Sequence, residues 1–146
     1  MKSNNSKSDY HCWNFIKDEE VPYPSLNIIV RNFKNKNFLA IETKIDTGFN
    51  GVVGLTSNQL SELNIKSEGS TVVKTAGGER IVKFFKIQFS IPNTQFTDIK
   101  GVGIETPRSV IGRSILNLAS WLYDGIHQEW CLIENVKRRS TTIFKN

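Results

Sequence analysis

The strongest candidate for a reactive residue in this sequence is Asp46, which ends an apolar segment and is followed by Thr47 and Gly48. Peptide hydrolysis by water needs a base that activates the water and an acid that protonates the carbonyl or the leaving nitrogen. Two carboxyl groups about 3 Å apart supply both, because they cannot both ionise and therefore share one proton. The sequence holds no second copy of the Asp46 segment, so such a pair requires a symmetric homodimer.

An ordinary turn explains the same three residues. In that alternative Asp46 accepts a hydrogen bond from its own backbone two residues on, and Gly48 supplies a positive φ. The tripeptide Asp-Thr-Gly arises by chance in about 3% of chains of this length, so it decides nothing alone. The surrounding sequence must discriminate between the two explanations.

Two further motifs accompany the Asp46 segment. Two aliphatic residues and a glycine, Val110-Ile111-Gly112, precede Arg113 and open a short helix, with Gly112 placed 66 residues after Asp46. Between them lies a hairpin tip at Ala76-Gly77-Gly78, for which the two adjacent glycines predict a two-residue turn.

In order and spacing, these motifs resemble those of the retropepsin-like aspartic proteases over residues 26–134. The extended loop Asp-Thr-Gly-Phe-Asn-Gly is most similar to the small cellular members of bacteria and archaea. The resemblance implies an all-β fold: a closed, barrel-like domain with a flap hairpin and one or two short helices. It further implies a homodimeric endopeptidase that cleaves a peptide or protein substrate with no cofactor and no metal.

The resemblance also assigns roles to individual residues. Asp46 from each chain forms the catalytic pair, the Thr47 hydroxyl bonds the opposite loop, and Gly48 lets the backbone pass close by. The flap tip Ala76–Gly78 closes over substrate and donates backbone hydrogen bonds. The segment Ile111–Arg113 packs beneath the catalytic loop, where a side chain at the glycine would strike the turn.

Two positions depart from the family pattern. Phe49 stands where viral members often carry a small residue, and Ser114 stands where many relatives carry an acid. These departures leave the substrate preference and an ion pair of Arg113 open. A second function therefore stays open as well, a dimerisation or peptide-binding module with weak or absent catalysis.

The elements that must position these residues are mainly strands. Leu26 to Val30 and Phe38 to Ile45 flank the polar turn 32–37 and predict a hairpin that delivers the chain to Asp46. Alternating apolar residues predict further strands at 71–75, 79–91, 96–104, 120–123 and 129–133. Short helices are expected after Thr56, whose spacing to Gln59 forms a capping box, and at 113–118.

Length and charge favour a single domain. The chain has 146 residues and a formal charge of +5, but the stretch 136–146 alone carries four basic residues and no acid. We expect a flexible tail at 1–9, a retropepsin-like domain at 10–135, and a basic tail at 136–146. A charge confined to one tail argues against nucleic acid as a partner.

Short aliphatic runs and few cysteines bear on the cellular compartment of the protein. The longest aliphatic run, Ile28–Val30, is far too short to span a membrane, and no apolar signal segment follows Met1. Two cysteines are too few for a disulfide scaffold, which favours the cytoplasm, although one bridge between the chain ends stays open.

A zinc site at the chain ends is a lesser alternative. Cys12 and Cys131 each have a histidine nearby in sequence, His11 and His127, and these four side chains are all metal-capable. The favoured interpretation is that the cysteines are buried beside tryptophans in a sheet that pairs the chain ends, since free cysteine packs as a small apolar residue.

Overall fold

The computed structural model describes residues 10–134, which form ten strands and two short helices. The strands are β1 (Tyr10–Asn14), β2 (Ser25–Arg31), β3 (Phe38–Ile45), β4 (Val53–Leu55), β5 (Gly69–Thr75), β6 (Gly78–Ser90), β7 (Ile99–Glu105), β8 (Val110–Ile111), β9 (Ser120–Asp124) and β10 (Glu129–Ile133). The helices are α1 (Ser57–Glu62) and α2 (Arg113–Leu116). The all-β class is therefore confirmed.

Most strands belong to one sheet that closes on itself. Its order is β2-β3-β8-β4-β7-β6-β5, and β2 additionally pairs with β6 through Ile29 opposite Ser90. This extra pairing joins six strands into a barrel and leaves β5 attached only to β6. Closure pairs β2 with β6, so within the described residues the free edge of this sheet lies along β5.

Alternation along the strands fills the barrel with apolar side chains. In β3, Ile41, Thr43 and Ile45 are buried whereas Glu42 is exposed, as the sequence predicts. The Thr43 hydroxyl is satisfied inside by donating to the Leu26 carbonyl at 2.6 Å. The core of fully buried side chains is made mainly by β2, β4 and the second half of β6.

Ile81 shares a face of β6 with Phe85, yet Phe85 is buried whereas Ile81 is 78% exposed. The first half of β6 extends beyond the barrel and, among residues 10–134, pairs with β5 alone. The strand expected at 96–104 begins later, at Ile99.

A second, three-stranded sheet has the order β1-β10-β9 and joins the two ends of the described chain. Cys12 lies directly opposite Cys131, and the two form a disulfide. The favoured interpretation of two buried free cysteines is therefore wrong: the bridge that the sequence left open is present, both sulfurs are engaged in it, and Cys12 is exposed. The four-residue zinc set is not assembled within residues 10–134, because His127 instead contacts Asp124.

The predicted helices are short, as expected. Thr56 caps α1 with both bonds of the capping box, in which Thr56 and Gln59 each accept from the other's backbone N–H. No helix within residues 10–134 has the length and apolar character needed to cross a bilayer. The tails expected at 1–9 and 136–146 lie outside the described residues.

Candidate active site

The Asp46 loop continues from the end of β3 and is anchored to β8. The two strands run parallel, with Ile45 opposite Ile111, and the Asp46 N–H donates to the Ile111 carbonyl at 3.0 Å. This bond extends the ladder by one residue, so the backbone of Asp46 is fixed by a barrel strand. The residue itself is half-buried, and Thr47 and Gly48 are exposed.

A local turn orients the Asp46 carboxyl group. Gly48 N–H donates to Asp46 Oδ1 at 2.9 Å, and Phe49 N–H donates to the Asp46 carbonyl at 3.2 Å. The bond expected of an ordinary turn is thus present, and it positions the carboxyl group at the surface of the single chain. The expected positive φ at Gly48 is wrong; a Cβ there would instead lie 3.2 Å from Asp46 Oδ1.

The segment after β8 supports this loop from below. Arg113 N–H donates to the Phe49 carbonyl at 2.8 Å, and Ser114 N–H donates to the Gly51 carbonyl at 3.2 Å. The Ser114 hydroxyl adds a bond to the Asn50 carbonyl at 2.7 Å. Ser114, noted in the sequence only as a departure, therefore ties α2 to the loop.

Gly112 is the closest contact between the two segments. A Cβ at this position would lie 2.2 Å from the Gly51 carbonyl oxygen and 2.7 Å from Phe49 Cδ1. The Phe49 ring also lies against Gly51, so this side chain packs inward, beneath its own loop. Ile111 is fully buried, whereas Arg113 is exposed.

The flap hairpin is present, but its turn differs from the prediction. Thr75 pairs with Gly78, so the two turn residues are Ala76 and Gly77, while Gly78 begins β6. Gly78 has the positive φ, +111°, and Thr75 Oγ1 donates to its carbonyl at 2.8 Å. The residues Ala76, Gly77 and Gly78 remain the exposed tip of the ribbon.

Sequence reasoning missed three residues close to the loop: Tyr23, Lys44 and Arg108. The Ile45 N–H donates to the Pro24 carbonyl at 3.0 Å, which brings Tyr23 beside β3. The Lys44 N–H donates to the Ser109 carbonyl at 2.9 Å, which brings Arg108 there as well. Of the three, only Lys44 could have been placed near the site from the sequence, since it lies two residues before Asp46 and therefore on the same face of the extended chain.

The closed barrel, the loop anchored on β8 and the projecting hairpin together define the retropepsin-like acid-protease fold. A solved retropepsin-like aspartic protease from Rickettsia conorii is similar, with a TM-score of 0.56 and 19% identity over 84% of this chain and 89% of that one. The EIAV protease, solved with an inhibitor, has a TM-score of 0.51 and 14% identity over 70% of this chain and 92% of that one. No protein-family profile and no curated protein matches the sequence.

Proposed function

We propose that this chain is a homodimeric aspartic endopeptidase, related to the small cellular retropepsin-like enzymes, in which Asp46 of each subunit contributes to one active site. The observation that carries the proposal is the Asp46 loop itself: a surface turn with a half-buried Asp46, anchored by backbone bonds to β8, in a retropepsin-like fold. Sharing the fold with two proteases adds support.

The chemistry follows from two Asp46 carboxyl groups that share one proton. The ionised carboxylate removes a proton from a water molecule, which attacks the carbonyl carbon of the peptide bond. The protonated partner donates to the carbonyl oxygen. As the C–N bond breaks, the carboxyl group that took the proton from water passes it to the leaving nitrogen, and the proton on the former carbonyl oxygen returns to the partner carboxylate. Thr47 is exposed beside Asp46, where in a dimer its hydroxyl reaches the opposite loop and fixes the distance between the aspartates.

The hairpin tip Ala76–Gly78 is proposed to cover the substrate. Val72 and Ile81 lie directly opposite each other on this ribbon and are 56% and 78% exposed. An exposed apolar pair on a projecting hairpin gives a surface that a bound peptide or a second subunit can cover. Covering the peptide also excludes water other than the attacking molecule.

The test uses the variant Asp46→Asn, which keeps the size of the side chain but removes its acid–base role. The pure variant should fold, dimerise and be inactive. When it is mixed in equal amount with wild type and the subunits exchange at random, about one quarter of the dimers keep both aspartates. Activity should then fall to about half that of the same wild-type concentration alone, and further with excess variant.

Asp98→Asn is the matched control, because Asp98 lies on an exposed turn where it accepts from the Gln88 side chain, away from β3. This variant should not inhibit wild type. Equal activity at every ratio of the Asp46 variant, with exchange shown independently by mass spectrometry, would refute a shared active site. A dimer that binds peptides but never cleaves them would favour the peptide-binding module instead.

A further inference from the structure

Two cations contact the ring of Tyr23, and one of them, Lys44, lies two residues before Asp46. The Lys44 Nζ lies 4.5 Å from the ring centroid and the Arg108 Cζ lies 4.4 Å from it. Tyr23 is buried, with 7% exposure, and its hydroxyl accepts from Arg108. The ring therefore fixes two positive charges in one place, by cation–π contact and by a hydrogen bond. We call these three residues the cationic cradle.

The cradle holds two acidic side chains of the same chain. Arg108 Nη2 donates to both carboxylate oxygens of Asp18 at 3.1 Å, and Arg108 Nη1 contacts Glu19. The Lys44 Nζ lies 3.9 Å from the other oxygen of Glu19. One guanidinium nitrogen thus serves both oxygens of Asp18 and the other serves Glu19, and charge-assisted bonds of this kind are stronger than bonds between neutral groups. The cradle thus already binds carboxylate groups on a peptide segment, those of Asp18 and Glu19.

The acids belong to an exposed loop with few other attachments. Residues 17–22 lie between Ile16 and Tyr23, which pair through a single β-bridge, and residues 17–21 are all exposed. The side chains of Asp18 and Glu19 are 58% and 45% exposed. Ion pairs at this exposure are weak and exchange readily with solvent. A competing carboxylate can therefore displace the loop.

The cradle lies next to Asp46 along the chain, through Lys44. Lys44 and Asp46 are two residues apart on an extended segment, so they share a face and are separated by about 7 Å. The backbone bonds from Lys44 to Ser109 and from Ile45 to Pro24 hold the other two members beside it. Alternate side chains of an extended peptide repeat at the same spacing. For a peptide that runs along this segment, the spacing matches a side chain next to the cleaved bond to the cradle.

We propose that Lys44, Arg108 and Tyr23 form a subsite for an Asp or Glu side chain of the peptide, and that Asp18 and Glu19 occupy this subsite until the peptide displaces them. The inference rests on the proposed peptide hydrolysis at Asp46. Because the loop competes from within the chain, it lowers the apparent affinity for acidic peptides by the fraction of molecules in which the subsite is free.

The binding test uses full-length Asp46→Asn protein, so that no peptide is cleaved. The probe is a fluorescent peptide with the sequence of residues 15–22, compared by anisotropy with a peptide in which Asn and Gln replace its three acids. The acidic peptide should bind at least about tenfold more tightly than the neutral one. Adding Asp18→Asn and Glu19→Gln should strengthen binding of the acidic peptide several-fold and leave the neutral peptide unchanged.

Two arginine variants supply the matched comparison. Arg108→Gln should remove the preference for the acidic peptide, whereas Arg31→Gln should keep it. Arg31 also stacks on an aromatic ring, with its Cζ 5.5 Å from the Phe38 centroid, but it lies at the end of β2 opposite the start of β3, far from Asp46. Equal binding of both peptides, or the same preference in the two arginine variants, would overturn the proposal. The loop variant keeps the test valid if Arg108→Gln does not fold.

A cleavage test separates the subsite from the proposed function. Wild type, Arg108→Gln and Arg31→Gln are each incubated with a peptide library at neutral pH, and the products are sequenced to locate the cleaved bonds. Enrichment of Asp or Glu beside the cleaved bond in wild type and Arg31→Gln, but not in Arg108→Gln, supports the subsite. Cleavage without such enrichment overturns it and leaves hydrolysis intact. Selective acidic binding without any cleavage supports the subsite and contradicts the endopeptidase.

Discussion

At the scale of single residues, Gly112 is the position next to the Asp46 loop where an added side chain has least room. Its missing side chain leaves room for the Gly51 carbonyl oxygen, which a Cβ would approach to 2.2 Å. Because that atom is backbone, Gly112→Ala must displace the loop, and we expect it to lower the free energy of unfolding by about 1–3 kcal/mol. Urea unfolding measures the change. Gly77→Ala is the control, since its Cβ would meet only Thr75 Oγ1 at 3.8 Å, and equal stability of the two variants would contradict the contact.

A second residue-scale prediction concerns His127 in the turn between β9 and β10. Its Nδ1 lies 2.7 Å from Asp124 Oδ2, and this hydrogen bond raises the pKa of His127 above its ordinary 6.5. In return, bonds from the His127 backbone and ring lower the pKa of Asp124 below 3.8. The pair therefore stabilises the turn fully between about pH 4 and 6.5, and that stabilisation is lost as the pH leaves this window in either direction.

An NMR titration of the His127 ring protons tests this pair. In Asp124→Asn the pKa of His127 should return towards its ordinary value, because the charged partner is gone. The distant variant Asp98→Asn should leave the titration of His127 unchanged. An identical midpoint in Asp124→Asn and wild type would show that the ring does not sense the carboxylate.

At the scale of elements, the flap turn depends on Gly78. Its φ of +111° disfavours any side chain, although a Cβ there would meet nothing within 4 Å. We therefore expect Gly78→Val to loosen the turn, to raise amide exchange at the hairpin tip and to reduce peptide cleavage, while the barrel stays folded. Gly77→Ala, at a position with no positive φ and only an ordinary contact to Thr75 Oγ1 at 3.8 Å, should leave the turn and its amide exchange unchanged. Undiminished cleavage by folded Gly78→Val would show that the hairpin is not the lid.

At the scale of the whole molecule, the disulfide between Cys12 and Cys131 closes a loop of 119 residues. Such a cross-link restricts the unfolded chain, so its loss should lower the free energy of unfolding by about 2–5 kcal/mol and the melting temperature by roughly 10 °C. Calorimetry with and without dithiothreitol measures this. The double variant Cys12→Ala/Cys131→Ala should melt like the reduced protein and ignore the reductant. The same melting temperature in both redox states would contradict a stabilising bridge.

The bridge also bears on where the protein acts. Few cysteines predict the cytoplasm, yet disulfides persist mainly in oxidising compartments. The compartment stays a prediction, as do the division of the chain into tails and domain and the exclusion of nucleic acid. Repeating the melting experiment at the redox potential of each compartment shows in which of them the disulfide persists.

The sequence by itself determined the features that local pattern encodes. Period-two alternation marked β3 and delivered Asp46 to a strand end, and the spacing of Thr56 and Gln59 marked the start of α1. The loop and Gly112 were recognisable from the sequence because the backbone at Gly112 lies so close to the loop backbone that only glycine fits there. Even there, local pattern misplaced the hairpin turn by one residue. Two adjacent glycines do not determine which residues occupy the two turn positions, and these are Ala76 and Gly77 rather than Gly77 and Gly78.

Only the tertiary structure decided what distant segments do together. Pairing of β2 with β6 closed the barrel, and the end of β6 beyond it left Ile81 exposed. The cationic cradle draws Tyr23 and Arg108 together across 85 residues of sequence. No local periodicity encodes such a contact, because it depends on which strands become neighbours. The Asp46 loop was therefore predictable from the sequence, whereas the cluster of Tyr23, Lys44 and Arg108 was not.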